Sequence, residues 1–132
     1  MDIPPCNVLK DMISSGTVLM PDQSRKRTTA GIGLVGAWAL YNVVLERRSA
    51  CVVEIGMAQG FSTLSILCAL AQTGGRLISI DPYVGWPSGK KAALYTVERA
   101  GYAHLHAHLE EPSYQALPKL LREGTRIEMG YI

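Results

Sequence analysis

Apolar residues between Gly33 and Arg47 recur every three to four positions, with Leu34, Trp38, Tyr41 and Leu45 on one face, which predicts a helix. Arg47 and Arg48 place cations where the helix dipole is negative. The period then changes. Cys51-Val-Val-Glu-Ile55 is a short β-branched run stopped by Gly56, the pattern of a buried strand. Ser62 to Gln72 is helical in composition and closed by Gly74-Gly75. Arg76 to Ile80 predicts a second strand, ending at Asp81-Pro82, and Ser88 caps a helix running to about Ala100, with Gly101 as its stop. His104 to His108 predicts a short third strand, and Ser113 to Glu123 a helix, irregular near Pro118 and ended by Gly124. Ile127 to Ile132 begins a fourth strand. Residues 1–29 are irregular in pattern. Pro4-Pro5 and Pro21 break them, and only Val8 to Ile13 suits a helical turn or two.

Strands alternating with helices predict an α/β fold built on a parallel sheet. The 132 residues suffice for one domain, and 48% hydrophobic with 18% charged residues is a globular composition. A net charge of +2 favours no acidic partner, and the clusters Arg25-Lys26-Arg27, Arg47-Arg48 and Lys90-Lys91 read as solvated surface rather than a nucleic-acid interface. The apolar stretch 30–45 is 16 residues long and interrupted by Asn42. It falls short of the roughly 20 residues that span a bilayer, so a buried helix is expected and no membrane partner. The N-terminus lacks the architecture of a secretory signal. Cys51 and Cys68 sit in apolar runs as buried free thiols and, with Cys6, show no C-x-x-C spacing, which suits a reducing, cytoplasmic setting.

Two glycine patterns compete for the chemistry. Gly31-Ile-Gly-Leu-Val-Gly36 matches the dinucleotide fingerprint G-x-G-x-x-G. That motif needs a strand before it, and Arg25-Lys-Arg-Thr-Thr29 is polar and not strand-like. Replacing Gly31 or Gly33 by Ala is therefore expected to leave nucleotide binding nearly untouched, and a nicotinamide-dependent oxidoreductase is disfavoured. The second pattern, Val53-Glu-Ile-Gly-Met-Ala-Gln-Gly-Phe-Ser-Thr63, lies between a predicted strand and a predicted helix. Gly56 and Gly60 let the backbone turn and approach a ligand, and the helix that follows offers free N–H groups. Asp81 ends the next strand 21 residues after Gly60. A carboxylate there can accept hydrogen bonds from ribose hydroxyls.

Together Val53-Glu-Ile-Gly-x-x-x-Gly-Phe-Ser-Thr63 and Ser79-Ile-Asp-Pro82 resemble motifs I and II of class I S-adenosylmethionine-dependent methyltransferases. The likeness is closest to the small-molecule O-methyltransferase-like group, whose stretch after the third strand Glu110 to Gly124 also resembles. It covers about residues 30–132 and implies a Rossmann-like parallel sheet flanked by helices, here about four strands in the order 3-2-1-4. The resemblance also implies S-adenosylmethionine as cofactor and a small-molecule acceptor methylated at oxygen. Glu54 and the backbone of Gly56, Met57, Ala58 and Gly60, with Ser62 after them, would hold the methionine end. Asp81 would bind the ribose, Pro82 and Tyr83 would lie beside the adenine, and Glu111 or Ser113 near its edge. In that group the strand that starts at Ile127 continues into an acidic turn with a nearby His, which supplies catalytic or metal-binding groups. The resemblance thus implies an N-terminal segment, 1–29, followed by a truncated domain, 30–132, that holds mainly the cofactor-binding half. An inactive remnant is the alternative. The open sheet edge would invite self-association. His104, His106 and His108 alternate, which on a strand turns all three to one face. A polar face is the favoured reading over a metal site, since no carboxylate or Cys completes a ligand set.

Overall fold

The computed structural model of the chain describes residues 3–29 and 31–132. The boundary expected at residue 30 falls outside them. Among the described residues, six strands and five α-helices follow one another: α1 (Asn7–Ser15), β1 (Thr17–Leu19), β2 (Arg25–Arg27), α2 (Gly33–Arg47), β3 (Cys51–Ile55), α3 (Phe61–Thr73), β4 (Arg76–Ile80), α4 (Pro87–Arg99), β5 (His106–Leu109), α5 (Ser113–Arg122) and β6 (Met129–Tyr131). The last four sheet-forming segments pair in the order β5-β4-β3-β6, all parallel, with Glu54 opposite Ser79 and Ser79 opposite His108. This is the expected α/β architecture and strand order.

Alternation along the strands splits the core. Val52 and Leu77 point to one face, where Leu40 and Val44 of α2, Ile66, Leu67 and Leu70 of α3, and Ala93 and Val97 of α4 cover them. Cys51, Val53, Ile78 and Ile80 point to the other, against Ala116 and Leu120 of α5. Glu54 and Ser79 continue the Val52 and Leu77 rows, so period two brings both polar groups under α3.

Residues 3–29 correct the expectation of an irregular segment. Helix α1 ends at Gly16 in the left-handed conformation, and β1 pairs antiparallel with β2, Val18 opposite Lys26. Leu9, Met12 and Val18 are buried with Phe61, Leu64 and Cys68 of α3 and Ala92 of α4. Arg25–Arg27 was expected not to form a strand. It does so because a three-residue hairpin arm needs only backbone partners, and its side chains stay exposed. Helix α4 starts at Pro87 after Trp86, with no side-chain cap, so Ser88 lies inside the first turn rather than before it. Proline fits a first helical position, where its missing N–H would be unpaired anyway. His104 sits in a 3-10 turn (Ala103–Leu105), so only His106 and His108 share the strand face. All three cysteines are free and buried, and burial pushes the Cys68 thiol up to about 11. Among the described residues, no helix is long and apolar enough to cross a membrane.

Candidate functional site

The loop 56–60 leaves the C-terminal end of β3 and feeds α3, at the edge where open parallel sheets bind ligands. Gly56 (φ +91°) and Gly60 (φ +99°) both need the left-handed region that glycine enters without strain. A Cβ on Gly56 would meet nothing within 4 Å, so the backbone there borders open space. That space is a cavity of about 320 Å³ lined by Gly31, Ile32, Gly56, Met57, Ala58, Phe61, Ser62, Tyr131 and Ile132. Gly60 starts α3 with no side-chain cap. An uncapped helix start leaves N–H groups and a positive dipole end available to a negatively charged group.

Beneath the loop, Glu54 is fully buried. Its carboxyl accepts hydrogen bonds from Ser62 Oγ, from Thr63 Oγ1 at 2.8 Å and from Ser79 Oγ at 2.7 Å. Burial raises its pKa above the ordinary carboxylate value, the three hydroxyls oppose the rise, and the charge of Asp81 adds to it. His106 Nε2 lies 2.9 Å from Ser79 Oγ. With the Ser79 hydrogen committed to Glu54, His106 must donate, which assigns the proton to Nε2. Burial first, and then His108, push the His106 pKa down to about 4, so the ring is neutral. His108 Nε2 contacts the Asp81 carbonyl oxygen at 2.9 Å. Among the described residues, no three His, Cys, Asp or Glu side chains converge as a metal site.

Asp81 ties the loop to β4. Its Oδ2 accepts from the backbone N–H of Met57 (2.9 Å) and Ala58 (3.1 Å), and its Oδ1 from that of Tyr83 (2.9 Å). Tyr83 returns the tie, since its hydroxyl donates to the Ala58 carbonyl at 2.6 Å. Both Ala58 and Tyr83 hold φ of +48°, a conformation non-glycine residues adopt at a cost that these bonds offset. Tyr83 packs edge-on against His108, ring centroids 5.4 Å apart, and burial raises its pKa far above the usual phenol value.

The structure therefore brings Glu54, Gly56, Met57, Ala58, Gly60, Ser62, Asp81 and Tyr83 together, in roles that differ in part from those expected. Glu54 accepts from Ser62 rather than facing the cavity as a free carboxylate, while Ser62 also lines that cavity. Met57 lends its amide and buries its side chain. The Tyr83 ring is buried and props the loop, whereas Pro82 is exposed. Glu111 pairs with Lys119 at 3.4 Å and Ser113 opens α5; neither lines the cavity. Two contributors lie outside the residues expected at the site, Gly31 having been set aside with its fingerprint. Gln59 reaches back to the segment before α2, and Gly31 lines the same cavity as Gly56 although its fingerprint has no strand of the parallel sheet before it. A Cβ on Gly31 would lie 2.9 Å from the Phe61 ring, which also lines that cavity.

A family model described as a methyltransferase domain matches residues 53–132, more than half of the chain. No match is found among curated proteins. Among solved structures, the chain is similar to the O-methyltransferase TomG from Streptomyces achromogenes, involved in tomaymycin synthesis and in complex with SAM. The TM-score is 0.70 at 23% identity, over 97% of this chain and 53% of that one. It is also similar to an O-methyltransferase from Bacillus cereus in complex with SAH, with a TM-score of 0.66 at 17% identity over 91% of this chain and 50% of that one. The chain thus spans about half the length of these structures, and at such identities the likeness shows the fold.

Proposed function

The chain belongs to the methyltransferase-domain family, and from that premise we propose that it binds S-adenosylmethionine in the cavity over the 56–60 loop and serves methyl transfer to oxygen on a small-molecule acceptor. One observation carries this reading: a glycine loop at the end of β3 is tied through its Met57 and Ala58 amides to a carboxylate at the end of β4, beside an open cavity. The donor set fits the group. Gly56 leaves room where a side chain would intrude, the uncapped start of α3 suits a carboxylate, and Asp81 keeps one acceptor site for a ribose hydroxyl. When bound, S-adenosylmethionine supplies a methyl group on a positively charged sulfur. The residues of this chain bind and orient. Glu54 holds Ser62 and Thr63 at the start of α3 against β4, and Asp81 with Tyr83 fixes the loop whose backbone faces the ligand. In-line displacement gains most from such positioning. The two similar O-methyltransferases, one in complex with SAM and one with SAH, support the cofactor and the oxygen acceptor. Three buried free thiols support a reducing, cytoplasmic setting.

Isothermal calorimetry tests the reading. S-adenosylhomocysteine should bind, and more tightly than NAD; the reverse order would sink it. A second expectation concerns Gly31, whose place in the cavity wall replaces the expectation drawn from its sequence context. Gly31→Ala should weaken S-adenosylhomocysteine binding several-fold by pushing Phe61 into the cavity. Gly33→Ala, at φ +66° with open space around it, should cost stability by about 1–2 kcal/mol and leave affinity nearly unchanged. Equal affinities for both variants and the parent chain would remove Gly31 from the site.

A further inference from the structure

Gln59 is the least expected residue of the loop. It lies between Ala58 and Gly60 and is only 4% exposed, yet its side chain serves neither the loop nor the sheet. Its Oε1 accepts from the Thr29 N–H at 2.9 Å, and its Nε2 donates to the Arg27 carbonyl at 3.2 Å. A carbonyl at one residue and an N–H two residues on are what one edge of an extended chain presents, so the Gln59 amide pairs with 27–29 much as a parallel strand would. On the hairpin side, Thr28 donates through both its N–H and its Oγ1 to the Gly16 carbonyl, each at 3.0 Å. Residues 27–29 are thus held from two directions. Just beyond them, Gly31 and Ile32 form a wall of the cavity over Gly56.

We propose that Gln59 is a positioning residue: it straps segment 27–29 onto the glycine loop, so that closing this segment and filling the S-adenosyl cavity are one coupled equilibrium. The inference rests on the proposed cofactor reading for its ligand and on the hydrogen bonds for its mechanism. Opening the strap would leave a buried primary amide without either partner, which is costly. Closing it sets Gly31 and Ile32 against whatever occupies the cavity. A ligand that touches this wall therefore stabilises the strap, and by reciprocity the strap raises the affinity of the ligand.

Backbone amide hydrogen exchange on the full chain, with and without S-adenosylhomocysteine, tests this together with calorimetry. In the parent chain the ligand should slow exchange at Thr28 and Thr29. Gln59→Met keeps the volume and removes both hydrogen bonds. It should speed exchange at Thr29 and weaken S-adenosylhomocysteine binding, each by about tenfold, while exchange in β3 and β4 stays unchanged. Gln59→Glu keeps the acceptor for Thr29 and loses the donor to Arg27, so it should fall between the two and serves as the probe if the methionine variant does not fold. A folded Gln59→Met chain with parental exchange at Thr29 and parental affinity overturns the proposal. So does a parent chain that binds the ligand with no change in exchange at 28–29. A parent chain that binds no S-adenosylhomocysteine overturns the cofactor reading and the coupling with it. Exchange in the ligand-free variants still decides whether Gln59 holds the strap.

Discussion

Glu54→Ala is expected to cost the fold about 3 kcal/mol or more, because it strands three buried hydroxyls at roughly 1 kcal/mol or more each and opens a void under α3. Ser62, Thr63 and Ser79 all direct their hydrogens at this carboxyl, the first two from α3 and the third from β4. Urea unfolding at neutral pH measures the loss. A variant within 1 kcal/mol of the parent would mean that water replaces the carboxyl at little cost. Glu54→Gln should lose less, since one acceptor oxygen survives, although its NH₂ then faces hydroxyls oriented as donors.

The same pair of variants separates two pH effects of opposite sign. Folding raises the Glu54 pKa above its ordinary 4.5, so above that pH the unfolded chain gives up a proton that the folded chain keeps. Its contribution is full below 4.5 and is lost as the pH rises through the raised folded value. His106 moves the other way, from 6.5 to about 4. In that window the unfolded chain binds the extra proton, so stability rises with pH from about 4 to 6.5. Glu54→Gln removes the falling component and should leave a stability profile that climbs across the window. A profile parallel to the parent's would place the titration elsewhere.

How much of this was legible depends on where the signal lay. The strands β3 and β4 announce themselves because a parallel strand covered on both faces is a continuous apolar run, and each stops at a residue of the site, Gly56 or Asp81. The hairpin gave no such signal. Arg25–Arg27 is polar on both faces, and its order comes from backbone pairing with Thr17–Leu19. Helix α1 is nine residues long and hides its apolar positions, Val8, Leu9 and Met12, among polar neighbours. Sequence context rightly sets Gly31-x-Gly-x-x-Gly36 apart from the parallel sheet, but cannot show that Gly31 returns beside Gly56. That approach is long-range, held by Gln59 and the α3 residue Phe61. Roles were harder than places. The family resemblance puts Glu54, Asp81 and Tyr83 near the loop, whereas the fold shows Asp81 and Tyr83 tying that loop down and Glu54 joining the start of α3 to β4.

Asp81→Ala should accordingly do two things at once. It should weaken S-adenosylhomocysteine binding by about 1–3 kcal/mol through the lost ribose acceptor, and loosen the 56–60 loop by leaving three amides without a partner. A carboxylate offers about four lone-pair sites. Two on Oδ2 serve Met57 and Ala58 and one on Oδ1 serves Tyr83, which leaves room for one ribose hydroxyl while the loop stays tied. Two hydroxyls on Asp81 would require a loop amide to let go. Asp81→Asn distinguishes the two duties, because its single carbonyl can face either the loop amides or Tyr83, and its NH₂ meets a donor on the other side. The asparagine variant should therefore lose nearly as much affinity as the alanine one. Calorimetry with S-adenosylhomocysteine and thermal unfolding, run on both variants, read affinity and loop integrity separately. Unchanged affinity in a folded Asp81→Ala chain would leave Asp81 a loop tie only and move ribose recognition to another group.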